Sequence, residues 1–258
     1  MKKIFFNKLI KLSLSRFNNF DKKKLLKSLL DGNIIVVKKA VDKKKIMKIC
    51  ENLHNQKLKP SKSTKMYEGV KNIYYKAEVK PNKNEDSKRY RVSNKSWYFF
   101  PWNKDKTKLI ELVQPVYNNV IKLNGYEPKD IKKKTPKDGI IQRFHLMNYP
   151  YGNGFISRHV DPVTIVKCTA GIYISEFGKN YSAGGFYVID KYKRKKNIDK
   201  NIKSSDMVLF YSSMPHGVDK IKKPTKALKI NELPGRWFLN MTLVSSHHVK
   251  NRITSKGY

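Results

Sequence analysis

Hydrophobic positions in the first half of the chain recur at helical spacing. The segments 21–30, 41–54 and 109–123 carry apolar residues three or four positions apart, which predicts three amphipathic helices. Pro115 lies inside the third segment and predicts a kink or a later start of that helix. Between the first two, Ile34 to Val37 is a β-branched run that predicts a short buried strand.

The first residues also fit a helical pattern, because Ile4, Phe5, Leu9 and Leu12 could share one face of a helix. Two interpretations remain open for such a helix: docking on the rest of the domain, or lying on a membrane surface. A secretory signal is not expected, because lysines interrupt the apolar stretch and no small-residue cleavage site follows.

A polar region separates the second and third predicted helices. Residues 57–93 are rich in Lys, Asn and Ser, and we expect long loops there with one strand near 73–79. Specificity loops are expected within 57–100, as a lid over a site or as a solvated excursion. The aromatic run 97–102 (WYFFPW) is expected to be core or to border a pocket.

From Gly139 onward the helical spacing of apolar residues ends. Short runs of β-branched and aromatic residues follow, separated by Gly, Pro and Asn. Such runs predict antiparallel strands packed as a sandwich or barrel. The predicted strands lie near 139–148, 155–160, 164–175, 185–190, 206–210, 215–221, 226–230 and 236–245. The basic run 191–203 between two of them predicts a solvated hairpin, because charge runs usually face water.

One short motif in this second half carries chemistry. His159 and Asp161 form an H-x-D triplet, and side chains two positions apart on a strand share one face. His216 follows 57 residues later in the sequence Met-Pro-His-Gly-Val. Two imidazoles and one carboxylate can cover one face of an octahedral Fe(II) and leave positions open for a co-substrate and oxygen. The alternative is a hydrogen-bonded core histidine.

The residues around the triplet form an ordered series. Tyr149 lies ten positions before His159, Gly184-Gly185 follows it, and Gly235-Arg236-Trp237 with Asn240 comes near the end. Together with His216, this series resembles the Fe(II)/2-oxoglutarate-dependent dioxygenase superfamily, closest to its prolyl-4-hydroxylase-like branch, over about residues 139–246.

The resemblance implies a mainly β fold with supporting N-terminal helices (α+β), built on a double-stranded β-helix, which is a jelly-roll or cupin-like core. We expect residues 1–138 to form helical support and substrate loops, and residues 139–258 to form the catalytic core. The two parts are expected to pack as one structural unit.

The same resemblance implies roles for individual residues. The expected iron ligands are His159, Asp161 and His216. The residues expected to contact 2-oxoglutarate are Arg236, Tyr149, Asn240 and Thr169. Arg236 lies 20 positions after His216, which is far for the family, so that Lys223, Lys226 and Lys229 compete with it for the carboxylate.

The implied reaction uses Fe(II), 2-oxoglutarate and O2, with ascorbate as a stimulant, and yields succinate. A small-molecule substrate, an acidic one included, is the leading hypothesis, with Arg158, Lys167, Trp97 and Arg91 as candidate contacts. The alternatives are a hydroxylase or demethylase of a protein or nucleic acid, and a non-catalytic cupin-like binding module.

Composition changes this picture little. The formal net charge is +36, but nearly all the basic residues are lysines, as AT-rich codon usage would produce. Nucleic acid is therefore not favoured as the partner, since base and phosphate recognition tends to use arginine. Cys50 and Cys168 predict no disulfide framework and suggest a cytoplasmic protein. No apolar stretch is long enough to span a bilayer, and the oligomeric state stays open.

Overall fold

Two β-sheets joined by one strand form the framework of the chain. The computed structural model describes residues 2–56, 75–79, 91–100, 105–131, 140–226, 228 and 233–245. Its strands are β1 Leu9–Ser13, β2 Ile34–Lys38, β3 Tyr75–Val79, β4 Val92–Phe99, β5 Ile140–Tyr149, β6 Phe155–His159, β7 Cys168–Tyr173, β8 Ala183–Ile189, β9 Lys195–Asn197, β10 Met207–Tyr211, β11 His216–Lys222 and β12 Arg236–Ser245. Its helices are α1 Leu14–Asn18, α2 Lys22–Leu30, α3 Lys43–Asn55, α4 Leu109–Leu123 and α5 Pro128–Ile131.

The large sheet has the order β1-β2-β10-β7-β12-β5-β4, with β3 paired to β4, and the small sheet has the order β6-β11-β8-β9. Strand β4 pairs with both β5 and β6 and so links the two sheets. Four antiparallel strands in each sheet, β10-β7-β12-β5 and β6-β11-β8-β9, make the predicted double-stranded β-helix. The predicted fold class is confirmed.

Alternation along the strands divides the core into two layers. In β2, Ile35 and Val37 pack with the helices, whereas Ile34 and Val36 pack in the cluster between the two sheets. Both layers are apolar, which explains why the sequence of β2 is an uninterrupted hydrophobic run. The helices therefore cover the outer face of the large sheet, and the inner faces of the two sheets enclose the second layer.

The three long predicted helices are present. Asp21 caps α2 and Asp42 caps α3, each with its carboxylate accepting a hydrogen bond from a backbone N–H in the first turn. Helix α4 continues through Pro115 and buries seven residues against the sheet. Within the described residues, no helix is both long and apolar enough to cross a bilayer.

The N-terminus corrects one prediction, because residues 9–13 form a strand and not a helix. Strand β1 runs parallel to β2, with Leu9 opposite Ile34 and Ser13 opposite Lys38. Backbone hydrogen bonds to β2 stabilise this extended form, with β1 as the edge strand of the sheet, and a short amphipathic segment has little helical stability of its own. Strands from before residue 138 thus extend the sheet of the predicted catalytic core; the boundary itself stays a prediction.

Two further predictions fall largely outside the described residues. The expected lid covers much of 57–100, of which 57–74 and 80–90 are not described. Of the predicted strand near 226–230, only residues 226 and 228 are described, and neither lies in a strand; Lys229 is outside the described residues.

Candidate active site

The three predicted metal ligands converge at one point. His159 ends β6 and His216 begins β11, and the two residues are directly opposite each other in the pairing of these strands. Asp161 follows two positions after His159, and each of its carboxylate oxygens lies 3.7 Å from the Nε2 atom of one histidine. One ligand atom from each residue lies within 4.8 Å of the others, a spacing that one metal ion could bridge.

Backbone contacts fix the orientation of both imidazoles. The Nδ1 atom of His159 is 2.9 Å from the carbonyl oxygen of Ser157, and that of His216 is 2.8 Å from the carbonyl oxygen of Met214. A carbonyl oxygen only accepts, so both Nδ1 atoms must carry the proton. The lone pair of each Nε2 atom is therefore free of a proton and directed towards the shared point. Metal-binding histidines are commonly oriented in this way by a hydrogen bond from the other ring nitrogen.

Asp161 is held by a hydroxyl pair on the large sheet. The Thr169 Oγ1 atom donates a hydrogen bond of 3.0 Å to Asp161 Oδ2, and the same hydroxyl is 3.1 Å from Ser212 Oγ. The backbone N–H of Asp161 donates to the carbonyl oxygen of Ser212 at 2.9 Å. The side chain and backbone of Asp161 are thus both anchored to β7 and the end of β10.

Burial keeps His159 in the neutral form that a metal requires. Loss of hydration, helped by the neighbouring His216, lowers its pKa to about 4, although Asp161 opposes the shift.

Phe210 packs against His216 with ring centroids 4.8 Å apart, and Phe186 does so at 5.7 Å. The metal-facing atoms therefore sit in partly apolar surroundings, with the aromatic rings on the side of the cavity.

A cavity of about 1150 Å³ extends from the triad between the two sheets. Lys3, Arg143, Arg158 and Arg236 contribute cationic side chains to its lining, and Asp161 is the only acidic lining residue among those the structure describes. Such a cavity favours an anionic ligand.

Arg236 lies in this cavity wall, but a buried carboxylate already holds it. Its Nε donates to Asp199 Oδ2 at 2.8 Å and its Nη2 to Asp199 Oδ1 at 3.2 Å. The Arg236 guanidinium carbon lies 5.0 Å from the centre of the Tyr173 ring and 5.2 Å from that of Phe238. The Arg236 side chain is only 2% exposed and that of Asp199 is fully buried. Burial opposes the charge of Arg236, but Asp199 outweighs it and raises the pKa of the guanidinium well above its usual value.

The other residues predicted to contact 2-oxoglutarate also line the cavity. Tyr149 is buried beside Arg236, with its hydroxyl 3.4 Å from Met147 Sδ. Asn240 lies farther along β12, and its Oδ1 has no hydrogen-bond partner among the described residues. Thr169 reaches the cavity, and its hydroxyl is bound to Asp161. Whether these residues touch the co-substrate stays a prediction.

Three of the four residues predicted to contact the substrate do not line the cavity. Trp97 faces the helices, fully buried and stacked on Trp237 at 5.1 Å, because odd-numbered residues of β4 point away from the cavity. Lys167 is exposed near Gly125, and Arg91 is exposed at the start of β4; neither lines the cavity. Arg158 does line it, with an exposed side chain.

Two groups of residues were missed from the sequence: Asp199, which binds Arg236 but does not line the cavity, and residues of β5 that do line it. Asp199 belongs to a lysine-rich run that predicted only a solvated hairpin, and its link to Arg236 spans 37 positions. Arg143 and His145 lie on β5 among apolar residues, and their alternation with Phe144 and Leu146 is the signal that could have placed them on the inner face. Tyr98 on β4 stacks on His145 with ring centroids 4.3 Å apart.

Solved structures with a similar fold are known. A Pseudomonas putida prolyl-4-hydroxylase matches with a TM-score of 0.51 at 12% identity, over 86% of this chain and 97% of that one. A Trichoplax adhaerens prolyl hydroxylase, solved with a hypoxia inducible factor oxygen degradation domain peptide fragment, has a TM-score of 0.53 at 13% identity, covering 88% of this chain and 90% of that one. A full-length Neurospora crassa protein, solved in complex with alpha-KG, has a TM-score of 0.53 at 12% identity, covering 96% of this chain and 90% of that one.

These likenesses establish the fold. The chain has the double-stranded β-helix of 2-oxoglutarate-Fe(II) oxygenases, prolyl-4-hydroxylases among them, which confirms the resemblance at the level of the fold. No family model matches the sequence. No curated protein matches it either.

Replacing Thr169 tests whether its hydroxyl group supports metal binding through Asp161, apart from any contact with a co-substrate. We expect Thr169→Val to weaken Fe(II) affinity by about 10- to 100-fold, the usual cost of losing a hydrogen bond to a metal ligand. The measurement is an anaerobic Fe(II) titration without co-substrate, with Thr242→Val as the matched control on β12. Unchanged Fe(II) affinity in Thr169→Val would show that the hydroxyl does not orient Asp161.

Proposed function

We propose that the chain is an Fe(II)- and 2-oxoglutarate-dependent oxygenase that hydroxylates a small, acidic molecule. The observation that carries this proposal is the convergence of His159, Asp161 and His216 at one end of the cavity between the two sheets. Their donor set, two neutral imidazoles and one carboxylate, suits Fe(II) with positions left open.

The residues of the chain would have distinct tasks. His159 and His216 offer Nε2 atoms already oriented by their backbone contacts, and Asp161 supplies the one negative charge. Phe186 and Phe210 exclude water beside His216. Bound iron would supply the redox chemistry that couples decarboxylation of 2-oxoglutarate to oxygen transfer. The wall of the cavity would position the substrate next to the metal.

The cationic lining supports an acidic small molecule as substrate. Arg158 is exposed at the cavity and lies next to His159 in the chain, where it could meet an anionic group close to the metal. A groove that stacks nucleobases is less favoured, because Trp97 is buried on the opposite face of the sheet and Arg91 lies outside the cavity lining. Tyr98 does line the cavity, but its ring is stacked on His145.

The experiment is a metabolite-extract screen with Fe(II), 2-oxoglutarate, ascorbate and air. We expect succinate to form in step with a mass gain of one oxygen on a small acidic compound, and neither product to form in the presence of a metal chelator. Protein carrying Asp219→Ala, an exposed carboxylate on β11 outside the cavity lining, serves as the matched control and should retain activity. No consumption of 2-oxoglutarate in any extract would contradict the proposal.

A peptide substrate is the second candidate. The Trichoplax adhaerens prolyl hydroxylase holds a peptide fragment on the same fold. A mass gain on a protein in place of a small molecule, with the same dependence on Fe(II) and 2-oxoglutarate, would favour this candidate.

A further inference from the structure

The guanidinium of Arg236 uses only part of its hydrogen-bonding capacity inside the protein. An arginine side chain carries five N–H bonds in a planar fork. In Arg236, Nε and Nη2 donate to the two carboxylate oxygens of Asp199, at 2.8 Å and 3.2 Å. The Nη1 atom donates no hydrogen bond to any residue that the structure describes. Asp199 therefore occupies one edge of the guanidinium, and the Nη1 end can take another acceptor.

Aromatic rings restrict the same guanidinium further. Its central carbon lies over the rings of Tyr149, Tyr173 and Phe238, at 5.7 Å, 5.0 Å and 5.2 Å from their centres. Arginine stacks on aromatic faces, so these rings limit the rotation of the guanidinium plane. Asp199 holds one edge of the group at the same time. Contacts within the chain thus set the direction of the Nη1 end before any ligand binds.

The acid of this pair lies on the side away from the cavity. Arg236 lines the cavity, whereas Asp199 does not, and the Asp199 side chain is fully buried. The pair as a whole is neutral, but its positive end faces the cavity and its negative end faces the protein interior. A carboxylate in the cavity would meet the N–H donors of Arg236 first, and the nearer charge dominates because the Coulomb energy falls with distance.

Asp199 is itself held in place by further donors. It accepts hydrogen bonds from the Tyr173 hydroxyl at 2.7 Å, the Tyr181 hydroxyl at 2.5 Å and the backbone N–H of Phe186 at 2.9 Å. With the two bonds from Arg236, five donors converge on a group that has about four lone-pair positions. This carboxylate cannot rotate without losing several hydrogen bonds. Asp199 is therefore a rigid support for Arg236.

The chain makes room for this support at Gly185. Its φ of +95° lies in the left-handed region, and a Cβ atom there would collide with the Asp199 carboxylate. A glycine at this position allows β8 to pass close to Asp199. The position of Asp199 thus requires the second glycine of the Gly184-Gly185 pair.

We infer that Asp199 is a positioning residue for the co-substrate: it orients Arg236 so that the Nη1 end receives the distal carboxylate of 2-oxoglutarate. The inference rests on the proposed function and on the role that the resemblance implies for Arg236. Asp199 does not touch the co-substrate and acts on it only through Arg236. The network around Asp199 thus contributes to co-substrate binding although Asp199 does not line the cavity.

Calorimetric titrations of Mn(II)-loaded protein test this inference, with Mn(II) as an air-stable replacement for Fe(II). The probes are 2-oxoglutarate and 2-oxobutyrate, which has the same chelating 2-oxo acid group but lacks the distal carboxylate. We expect Asp199→Asn to raise the Kd for 2-oxoglutarate by about 10-fold, because the new amide NH2 group faces N–H donors of Arg236 and misaligns them. The Kd for 2-oxobutyrate should change by less than about threefold, because the chelating group does not depend on Arg236.

A second comparison shows whether Asp199 acts through Arg236. Arg236→Ala alone should raise the Kd for 2-oxoglutarate by about 10- to 100-fold. Adding Asp199→Asn to Arg236→Ala should change that Kd by less than about twofold, because the effects of two residues that act as one unit are not additive. Asp219→Asn, the same substitution at an exposed carboxylate outside the cavity lining, is the matched control and should change neither Kd.

Three results would overturn the inference. One is an unchanged or lower Kd for 2-oxoglutarate in Asp199→Asn. The second is an equal rise for both probes, as a general loosening of the fold would give, and the third is an equal rise when Asp199→Asn is added to Arg236→Ala. If Asp199→Asn does not fold, Tyr181→Phe replaces it, because this variant keeps both charges, removes one hydrogen bond to Asp199 and should raise the Kd for 2-oxoglutarate alone. If neither probe binds the metal-loaded wild-type protein, the proposed function itself fails.

Discussion

We expect Asp161→Ala to abolish high-affinity Fe(II) binding and, with it, turnover of 2-oxoglutarate. Asp161 supplies the only carboxylate among the three converging ligands, and both of its oxygens lie 3.7 Å from a histidine Nε2. Because losing a mere supporting contact costs 10- to 100-fold in metal affinity, loss of this ligand should cost more than about 100-fold. Anaerobic Fe(II) titration and succinate formation are the two measurements.

The control for this variant is Asp219→Ala, which removes a carboxylate that is 43% exposed and paired with Lys195. It should bind Fe(II) as the wild-type protein does. Thermal unfolding of both variants without metal shows whether they remain folded. An Asp161→Ala protein that is folded and binds Fe(II) with wild-type affinity would show that Asp161 is not a metal ligand.

The second large effect is on stability. Asp199→Ala leaves the guanidinium of Arg236, 2% exposed, without its counter-ion. Breaking a buried pair from one side typically costs about 3–5 kcal/mol, because the remaining charge is uncompensated. Two tyrosine hydroxyls and one backbone N–H also lose their acceptor, which adds to the cost.

Urea unfolding at neutral pH measures this effect. The exposed pair of Asp219 with Lys195 again gives the matched comparison, since removing it should change the free energy of unfolding by no more than about 1 kcal/mol. Equal, small losses in Asp199→Ala and Asp219→Ala would mean that Arg236 is not held by Asp199 in solution.

The proximity of His159 and Asp161 could be predicted from the sequence because its signal is local. His159 and Asp161 are two positions apart, so that any strand through His159 directs both towards one point. The position of His216 could not be predicted from local spacing alone, because its approach to His159 depends on the pairing of β6 with β11. The ordered glycines, tyrosine and Gly-Arg-Trp sequence supplied that information through the resemblance.

The partners of Arg236 could not be predicted in the same way. A strand pattern shows that Arg236 faces inward, but not that Asp199, in a different loop, reaches it. Because lysines surround Asp199, the sequence pattern predicted a solvated run and gave no sign that this acid is buried.

Trp97 illustrates a related limit of sequence analysis. An aromatic cluster indicates a buried strand, but the adjacent residues Trp97 and Tyr98 face opposite layers. Only the strand register decides which of the two lines the cavity.

The net charge of +36 and the cationic cavity are separate observations. The first follows from a lysine-rich composition spread over the whole chain. The second depends on Arg143 and Arg158 at defined places in the β-helix, together with Lys3, whereas Arg236 is paired with Asp199. Only the second bears on the ligand, and it favours a small anion next to the triad over a long nucleic-acid surface.

Binding of 2-oxoglutarate with and without metal tests most directly whether His159, Asp161 and His216 hold an iron ion that binds the co-substrate. Calorimetric titration under anaerobic conditions compares Fe(II)-loaded protein with protein treated with a chelator. The account predicts one saturable site per chain that appears only with Fe(II), because the 2-oxo acid group must chelate an ion held by His159, Asp161 and His216. Binding that is equal with and without Fe(II), or absent in both, would contradict it.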